Sequence, residues 1–272
     1  MGNTIKKIAW TFAFAVLALA AYLGLWPVPI QAVSWNAPSA PGYTGMLAAN
    51  NKLAGLKIIS LGAKAGPEHI VPARDGKLYA AVASGNILHM NPDGTAQEVF
   101  ANTGGRVLGF DFDAAGRLIA TDAIKGLLAI GPDRKITVLA DEVGGDPIRY
   151  ADAVVVVAAG TGKVYFTDAS GRFAPAKWGG TFEAAMLDIL EQASTGRILE
   201  YDPATNTTRI VANGLSFANG VALSRDEQTL FVAGTGKYRV WKITVAAANL
   251  DVGRARPRQP CSSTTCQATP TT

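Results

Sequence analysis

The 272-residue sequence predicts an all-β fold of propeller-type blades, preceded by one transmembrane helix. A run of apolar residues without charge near the N-terminus predicts the helix. Alternating apolar residues behind Gly or polar turns, repeated along the middle of the chain, predict the strands. Gly, Val, Thr and Asp-Gly turns recur too often in this middle part for long helices to form there.

The apolar run extends from Ile8 to Trp26, close to the roughly 20 residues that cross a hydrocarbon core as a helix. Lys6 and Lys7 precede the run, and the next basic residue is Lys52. The positive-inside rule therefore predicts a cytoplasmic N-terminus and an exported body, in a periplasmic, extracytoplasmic or lumenal compartment. Because no clean small-x-small cleavage site follows the run, we expect residues 1–30 to be an uncleaved signal anchor.

Four segments in the middle of the chain share one pattern, in which a turn precedes alternating apolar residues, and each segment is expected to form two strands. Their equivalent apolar residues are Leu78, Leu118, Val164 and Leu230, with spacings of 40, 46 and 66. The longest interval contains a helix-like insertion, KWGGTFEAAMLDILEQAS, and without it the period stays in the forties. Such a period is typical of a β-propeller blade. We expect a linker and the start of the propeller at 31–60, and an incomplete set of about four blades at 61–252.

The net charge of +4 is concentrated outside this repeated region. Lys6 and Lys7 flank the apolar run, and Arg254, Arg256 and Arg258 lie in the C-terminal tail. Without these five residues the chain is nearly neutral, so we expect no nucleic-acid partner.

Oxygen-bearing side chains recur at one position of the repeat. Glu68 lies ten residues before its anchor, Asp152 twelve and Asn219 eleven. The first strand of each blade lines the channel of a propeller, so these side chains are expected to converge on a hard cation such as Ca²⁺. The alternative is that Glu68 and Asp152 are turn residues and that Asn219 precedes Gly220 because Asn tolerates positive φ.

Several separated motifs resemble the strictosidine synthase-like proteins. They are GPE at Gly66–Glu68, LGFDFDAAGRLIATDAIKGLL at Leu108–Leu128, YFTDAS at Tyr165–Ser170 and the stretch from Ser194 to Ile243. That family is grouped with the SMP-30/gluconolactonase/regucalcin proteins, the paraoxonases and proteins like the adipocyte plasma membrane-associated protein, among six-bladed propellers. The resemblance covers about Gly66 to Asp251.

The resemblance implies a hydrolase of small lactones or aryl esters that depends on Ca²⁺ or another divalent metal. Glu68 and Asn219 match metal-ligand positions of the family. Ala151 stands where the family has a ligand Asn, and Asp152 is expected to serve instead. The glutamate base of the strictosidine synthases themselves would lie past the end of this chain, so the condensation is not implied. Two alternatives remain, a non-catalytic ligand-binding propeller and an inactive product of a disrupted reading frame.

No competing catalytic set is visible in the sequence. There is no G-x-S-x-G elbow, and His69 and His89 are the only histidines available to a Ser-His-Asp triad. Asp122 and Asp168 occupy matching TDA motifs, and we expect them to accept hydrogen bonds in turns rather than to bind metal.

The tail, residues 253–272, has no strand pattern and holds both cysteines, Cys261 and Cys266. It is expected to be disordered or frameshifted. One back-translation from Pro260, read in another frame, gives LLVDNLPGYPDN, which resembles the family's next motif with its remaining ligand Asp. We therefore hypothesise a frameshift between about Asp251 and Pro260, and an open, impaired propeller.

Overall fold

The computed structural model describes residues 2–158, 160–253 and 265–267. The chain divides into two compact units, Met1–Gln31 and Ala32–Thr272. Most of the tail expected to be frameshifted lies outside the described residues, and the frameshift hypothesis stays untested.

The first unit contains one helix, α1 (Gly2–Leu25), which includes nearly all of the predicted apolar run. None of its described residues is buried. By length and composition α1 is able to cross a membrane.

The second unit consists mainly of strands, which follow a short 3₁₀ helix at Gly45–Leu47. The first sheet contains β1 (Ile70–Pro72), β2 (Leu78–Ala81), β3 (Asn86–Met90) and β4 (Glu98–Asn102). The second sheet contains β5 (Val107–Phe112), β6 (Leu118–Asp122), β7 (Gly126–Ile130) and β8 (Ile136–Ala140). A hairpin follows, with strands β9 (Glu142–Val143) and β10 (Asp146–Pro147).

The third sheet contains β11 (Ala151–Val156), β12 (Val164–Asp168), β13 (Gly196–Asp202) and β14 (Thr207–Leu215), with helix α2 (Thr181–Glu191) between β12 and β13. The fourth sheet contains β15 (Ala218–Leu223), β16 (Thr229–Gly234) and β17 (Arg239–Thr244). All these strands pair antiparallel in chain order. Two short strands add in parallel at the outer edges, β18 (Leu250–Asp251) on β14 and β19 (Thr265–Gln267) on β17. The predicted all-β fold with a preceding apolar helix is confirmed.

The four predicted repeats correspond to the four sheets, and each anchor residue lies in the second strand of its sheet. We expected every segment to form two strands. This is wrong for the segment that starts at Thr161, which forms β12 alone. Its partner β13 comes after the helix-like insertion, because the chain forms α2 before it returns to the sheet.

The apolar core lies between successive sheets. Each of three buried clusters takes side chains from two neighbouring sheets: Tyr79 and Ile87 with Phe110 and Leu118, Ile119 and Leu127 with Phe166 and Leu199, and Tyr165 and Ile198 with Leu230 and Trp241. The second and third sheets, which lie between two other sheets, are thus apolar on both faces, as the blades of a propeller are.

Threonine hydroxyls join the inner strands of neighbouring sheets. The Thr121 hydroxyl on β6 donates to the backbone carbonyl of Asp152 on β11. The Thr167 hydroxyl on β12 donates to the carbonyl of Asn219 on β15, at 3.0 Å. These bonds place the start of β11 against the second sheet and the start of β15 against the third sheet.

Asp122 and Asp168 hold the chain segments that enter the first strands, as the TDA motifs predicted. Both carboxylates are fully buried. Asp122 accepts from the Arg106 backbone N–H at 3.1 Å, just before β5. Asp168 accepts from the Tyr150 N–H at 2.7 Å, just before β11, and from the Arg197 Nε at 2.9 Å.

We expect Asp168→Ala to lower the free energy of unfolding by about 3 kcal/mol or more, because it leaves the buried Arg197 guanidinium without one partner and two backbone N–H groups without acceptors. Urea unfolding of the full chain in detergent measures this. The control Asp133→Ala removes an exposed turn carboxylate and is expected to cost less than about 1 kcal/mol. Equal losses in the two variants would contradict the assigned role.

Candidate functional site

The three predicted ligand residues lie at the start of the first strands of three sheets. Glu68 comes two residues before β1, and its backbone N–H donates to the Ala81 carbonyl at 3.1 Å. Asp152 and Asn219 are the second residues of β11 and β15. Strand β11 lies against both β5 and β15, so the first strands of the second, third and fourth sheets are adjacent.

A β-bulge opens the first strand of the second, third and fourth sheets. The irregularities lie between Val107 and Gly109, between Ala151 and Val154, and between Ala218 and Val221. Asp152 and Asn219 therefore both lie within bulges. Bulges re-aim side chains and occur often next to active sites.

The alternative explanation of Asn219 as a residue chosen for positive φ is wrong. Among the described residues with positive φ, neither Asn219 nor Gly220 is found, whereas Phe217 has φ 47°. The strand turns at Phe217 and is extended again when it reaches Asn219, so the local backbone does not require an asparagine there.

Asp152 is a buried carboxylate without a hydrogen-bonded partner among the described residues. Asp152 is only 6% exposed to solvent. Burial and then the negative charge of Glu68 raise the pKa of Asp152 well above its usual range, and Arg106 opposes this shift. Because the charge of Glu68 acts on Asp152, the fold places the two carboxylates near each other although 84 positions separate them in the sequence.

Arg106 completes this cluster. Its Nη2 donates to the Glu68 Oε2 at 3.1 Å, and its Nη1 donates to the Gly66 carbonyl at 3.0 Å. The guanidinium is mostly shielded from water and stands beside both carboxylates. Asn219 lies at the start of β15, the strand beside β11. We call Glu68, Arg106, Asp152 and Asn219 the inner cluster.

The sequence analysis missed Arg106, although its signal was present. Arg106 lies twelve residues before Leu118, the same offset that separates Asp152 from its own anchor. The repeat position holds oxygen-bearing side chains in the first, third and fourth sheets and a guanidinium in the second, so charge at this offset, and not oxygen alone, identifies the residue of the second sheet.

Two aromatic residues border the inner cluster. His69 packs edge-on against Phe110 with ring centroids 5.0 Å apart, and burial lowers its pKa. Tyr150 is buried, and burial followed by the charges of Asp152 and Glu68 raises its pKa. The Tyr150 hydroxyl donates to the Thr181 carbonyl at 2.8 Å, so the N-terminus of α2 is attached beside the cluster.

The donor chemistry of the inner cluster fits a hard cation. Glu68, Asp152 and Asn219 offer two carboxylates and one amide from three sheets, and Asp152 has no other hydrogen-bond partner among the described residues. Ala151 contributes no donor. No group of three His, Cys, Asp or Glu side chains in the described part of the chain is arranged for metal binding, so a cation site here would need the Asn219 amide in addition to the two carboxylates. Ca²⁺ takes six to eight oxygen ligands, which leaves positions for water and substrate.

Two family models match the sequence. The model described as strictosidine synthase matches residues 153–248, and the model described as strictosidine synthase-like, N-terminal, matches residues 45–90. Among curated relatives, the protein STRICTOSIDINE SYNTHASE-LIKE 4 of Arabidopsis thaliana is 38% identical over 206 residues, which are 74% of this chain and 53% of the relative. The adipocyte plasma membrane-associated protein of Mus musculus is 28% identical over 235 residues, 80% of this chain and 54% of the relative.

This chain therefore spans about half the length of the curated relatives it matches. Among solved structures, a gluconolactonase from Xanthomonas campestris aligns with a TM-score of 0.54 at 20% identity and covers 68% of this chain and 61% of its own. A chain of a nidogen/laminin complex aligns with a TM-score of 0.52 at 17% identity, over 69% of this chain and 63% of its own. At these identities the likeness shows the fold alone.

The raised pKa of Asp152 predicts a specific pH dependence. An aspartate whose pKa is higher in the folded than in the unfolded state binds its proton more tightly when the chain is folded. Its contribution to the free energy of unfolding is therefore greatest below the ordinary pKa of about 3.9, and it decreases as the pH rises toward the pKa of the folded state. Asp152→Asn keeps the shape and does not titrate. In excess chelator, we expect the stability gained by this variant over the unchanged chain to grow from pH 4 to pH 7.

Urea midpoints across that pH range measure the difference, and Asp133→Asn is the matched control on an exposed turn. A difference that stays constant or shrinks with rising pH would contradict the burial of an unpaired Asp152 carboxylate.

Proposed function

This chain belongs to the superfamily of strictosidine synthase-like and gluconolactonase-type propellers, and on that premise we propose that it is a membrane-anchored, exported hydrolase of lactones or aryl esters that uses Ca²⁺ or another divalent metal. The observation that supports this proposal most is the inner cluster. The charges of Glu68 and Asp152 act on each other although the two residues belong to different sheets, and Asn219 begins the strand that lies beside the strand of Asp152. The Asp152 carboxylate is buried without a hydrogen-bonded partner among the described residues.

Each residue of the inner cluster has a part in the proposed reaction. Glu68, Asp152 and Asn219 would hold the cation, which when bound supplies a Lewis acid for the carbonyl oxygen of the ester. Arg106 carries a fixed positive charge beside Glu68 and is placed to stabilise negative charge that develops on the substrate. His69 adjoins Glu68, is kept neutral by its lowered pKa, and is our candidate for accepting the proton of the attacking water.

A second candidate function is a non-catalytic propeller that binds a ligand. One observation favours it: the guanidinium of Arg106 already pairs with Glu68 and supplies a positive charge where the metal would lie. Ala151, which stands where the family has a ligand Asn, also favours the non-catalytic function. This alternative predicts ligand binding without turnover and no metal in the purified protein. Elemental analysis of the purified chain separates the two functions, since the hydrolase requires about one divalent ion per chain.

Membrane anchoring is proposed from α1. The helix is apolar along its length, and basic residues precede rather than follow it until Lys52. We propose that α1 spans the membrane with its N-terminus in the cytoplasm and that the strand-rich unit lies on the other side.

For the hydrolase, we expect the full chain in detergent to hydrolyse phenyl acetate or δ-valerolactone in CaCl₂ and to lose the activity in excess EDTA. Glu68→Gln and Asn219→Ala are each expected to reduce kcat/KM by about 100-fold or more, since even groups outside the metal's ligand shell cost roughly 10–100-fold. The control Glu142→Gln removes an exposed carboxylate of the β9–β10 hairpin and should leave the rate unchanged. Rates that do not change in chelator would exclude the metal-dependent reaction.

For the anchor, Leu17→Arg places a charge in the middle of α1, where it costs about 2.5–3.5 kcal/mol of insertion free energy. We expect this variant to lose a large part of its alkali-resistant membrane association. The control Leu56→Arg lies in the exposed segment before the first strand and should stay in the membrane fraction. Fractionation of cells with alkaline carbonate measures both. If Leu17→Arg fractionates like the unchanged chain, α1 is not the anchor.

A further inference from the structure

A second pocket lies away from the inner cluster, between the end of β14 and the turn that joins β16 to β17. It has a volume of about 190 Å³. Its wall includes the side chains of Ser194, Ser216, Lys237, Arg239 and Trp241. None of the four residues of the inner cluster lines it. We call it the outer pocket.

Two cations in the outer pocket lack a carboxylate partner. In the described part of the chain, neither Lys237 nor Arg239 has an acidic group within ion-pair distance. The Lys237 Nζ donates to the Ser194 hydroxyl at 2.8 Å, and the Arg239 Nε donates to the Lys237 carbonyl at 3.3 Å. The guanidinium of Arg239 also lies over the Trp241 ring, 5.5 Å from its centroid.

The environment of these cations disfavours their charge. Burial lowers the pKa of both Lys237 and Arg239, and the charge of Arg239 lowers the pKa of Lys237 further. Asp188 of α2, which is fully buried, raises the pKa of Lys237 but forms no ion pair with it. An anion bound in the outer pocket would relieve this unfavourable charge.

A buried hydroxyl on the same wall lacks a partner. Ser216 is 3% exposed, and its Oγ has no hydrogen-bond partner among the described residues. Gly236 faces it, and any side chain at that position would collide with the Ser216 Oγ. Buried polar groups are nearly always hydrogen-bonded, and the exceptions call for a missing ligand or water.

From these observations we propose that the outer pocket binds the anionic group of a small molecule, either a carboxylate or a phosphate. Two cations without an ion-pair partner among the described residues and an unsatisfied hydroxyl donor are the groups that such an oxyanion requires. The volume admits a small acid or phosphate ester and is too small for a drug-sized ligand, whose sites span roughly 300–1,000 Å³. A metal cation is disfavoured by the charges of Lys237 and Arg239.

The wall of the outer pocket includes a residue of β16, the strand that pairs with the strand of Asn219. Ser216 precedes Asn219 by three residues, and Gly234 on its wall pairs with Ala218, the neighbour of Asn219. Anion binding does not depend on hydrolysis, and the test below therefore measures binding alone.

Equilibrium dialysis of the full chain in detergent against radiolabelled inorganic phosphate, at constant ionic strength in KCl, tests the proposal. We expect saturable binding of one phosphate per chain. Lys237→Met is expected to weaken it at least tenfold, and the control Lys135→Met, an exposed lysine of the second sheet, should bind as the unchanged chain does. Displacement by acetate and by methyl phosphate alike indicates a general oxyanion site, and displacement by methyl phosphate alone indicates a site for phosphate esters.

Ser216→Ala gives a second, independent readout. Because it removes an unsatisfied buried hydroxyl, we expect this variant to be at least as stable as the unchanged chain in phosphate-free buffer and yet to bind phosphate several-fold more weakly. A purely structural serine would lower stability instead. The absence of saturable binding, or unchanged affinity in both Lys237→Met and Ser216→Ala, would overturn the proposal.

Discussion

The positions of Asp152 and Asn219 depend on one kind of contact, the approach of a threonine on the second strand of one sheet to the first strand of the next. Thr121 and Thr167 donate to the backbone carbonyls of Asp152 and Asn219, so the contact that joins neighbouring sheets also fixes the candidate ligand residues. Gly109 permits this approach, because a Cβ there would lie 2.7 Å from the Asp152 carbonyl oxygen. The apolar clusters hold the sheets face to face, and these polar contacts set where each first strand begins.

The sequence was sufficient to predict the repeats and the coupling of Glu68 with Asp152, because spacing along the chain maps directly onto equivalent strands. The sequence was insufficient where a feature depends on contacts in three dimensions and not on the order of residues along the chain. The ion pair of Arg106 with Glu68 joins two sheets and has no local signal beyond its repeat offset. The burial of Asp152 without a hydrogen-bonded partner depends on the neighbouring sheets that cover it. The Ser216 hydroxyl, which has no hydrogen-bond partner among the described residues, occupies space that a Cβ at Gly236 would fill.

The two sites differ in charge. The inner cluster gathers two carboxylates around one guanidinium, and its unmet requirement is positive charge. The outer pocket gathers Lys237 and Arg239 without a carboxylate partner in the described part of the chain, and its unmet requirement is negative charge. Both unmet requirements arise from burial, because a group that loses water without gaining a partner is disfavoured in its charged form.

The central claim is that Glu68, Asp152 and Asn219 hold a cation together. Calorimetric titration of the full chain with CaCl₂ in buffers of different ionisation enthalpy tests it most directly, since it counts both bound ions and released protons. One Ca²⁺ per chain is expected, with a proton released from Asp152 that disappears in Asp152→Asn. If Ca²⁺ does not bind, or if the variant releases the same proton, the cluster does not form a cation site.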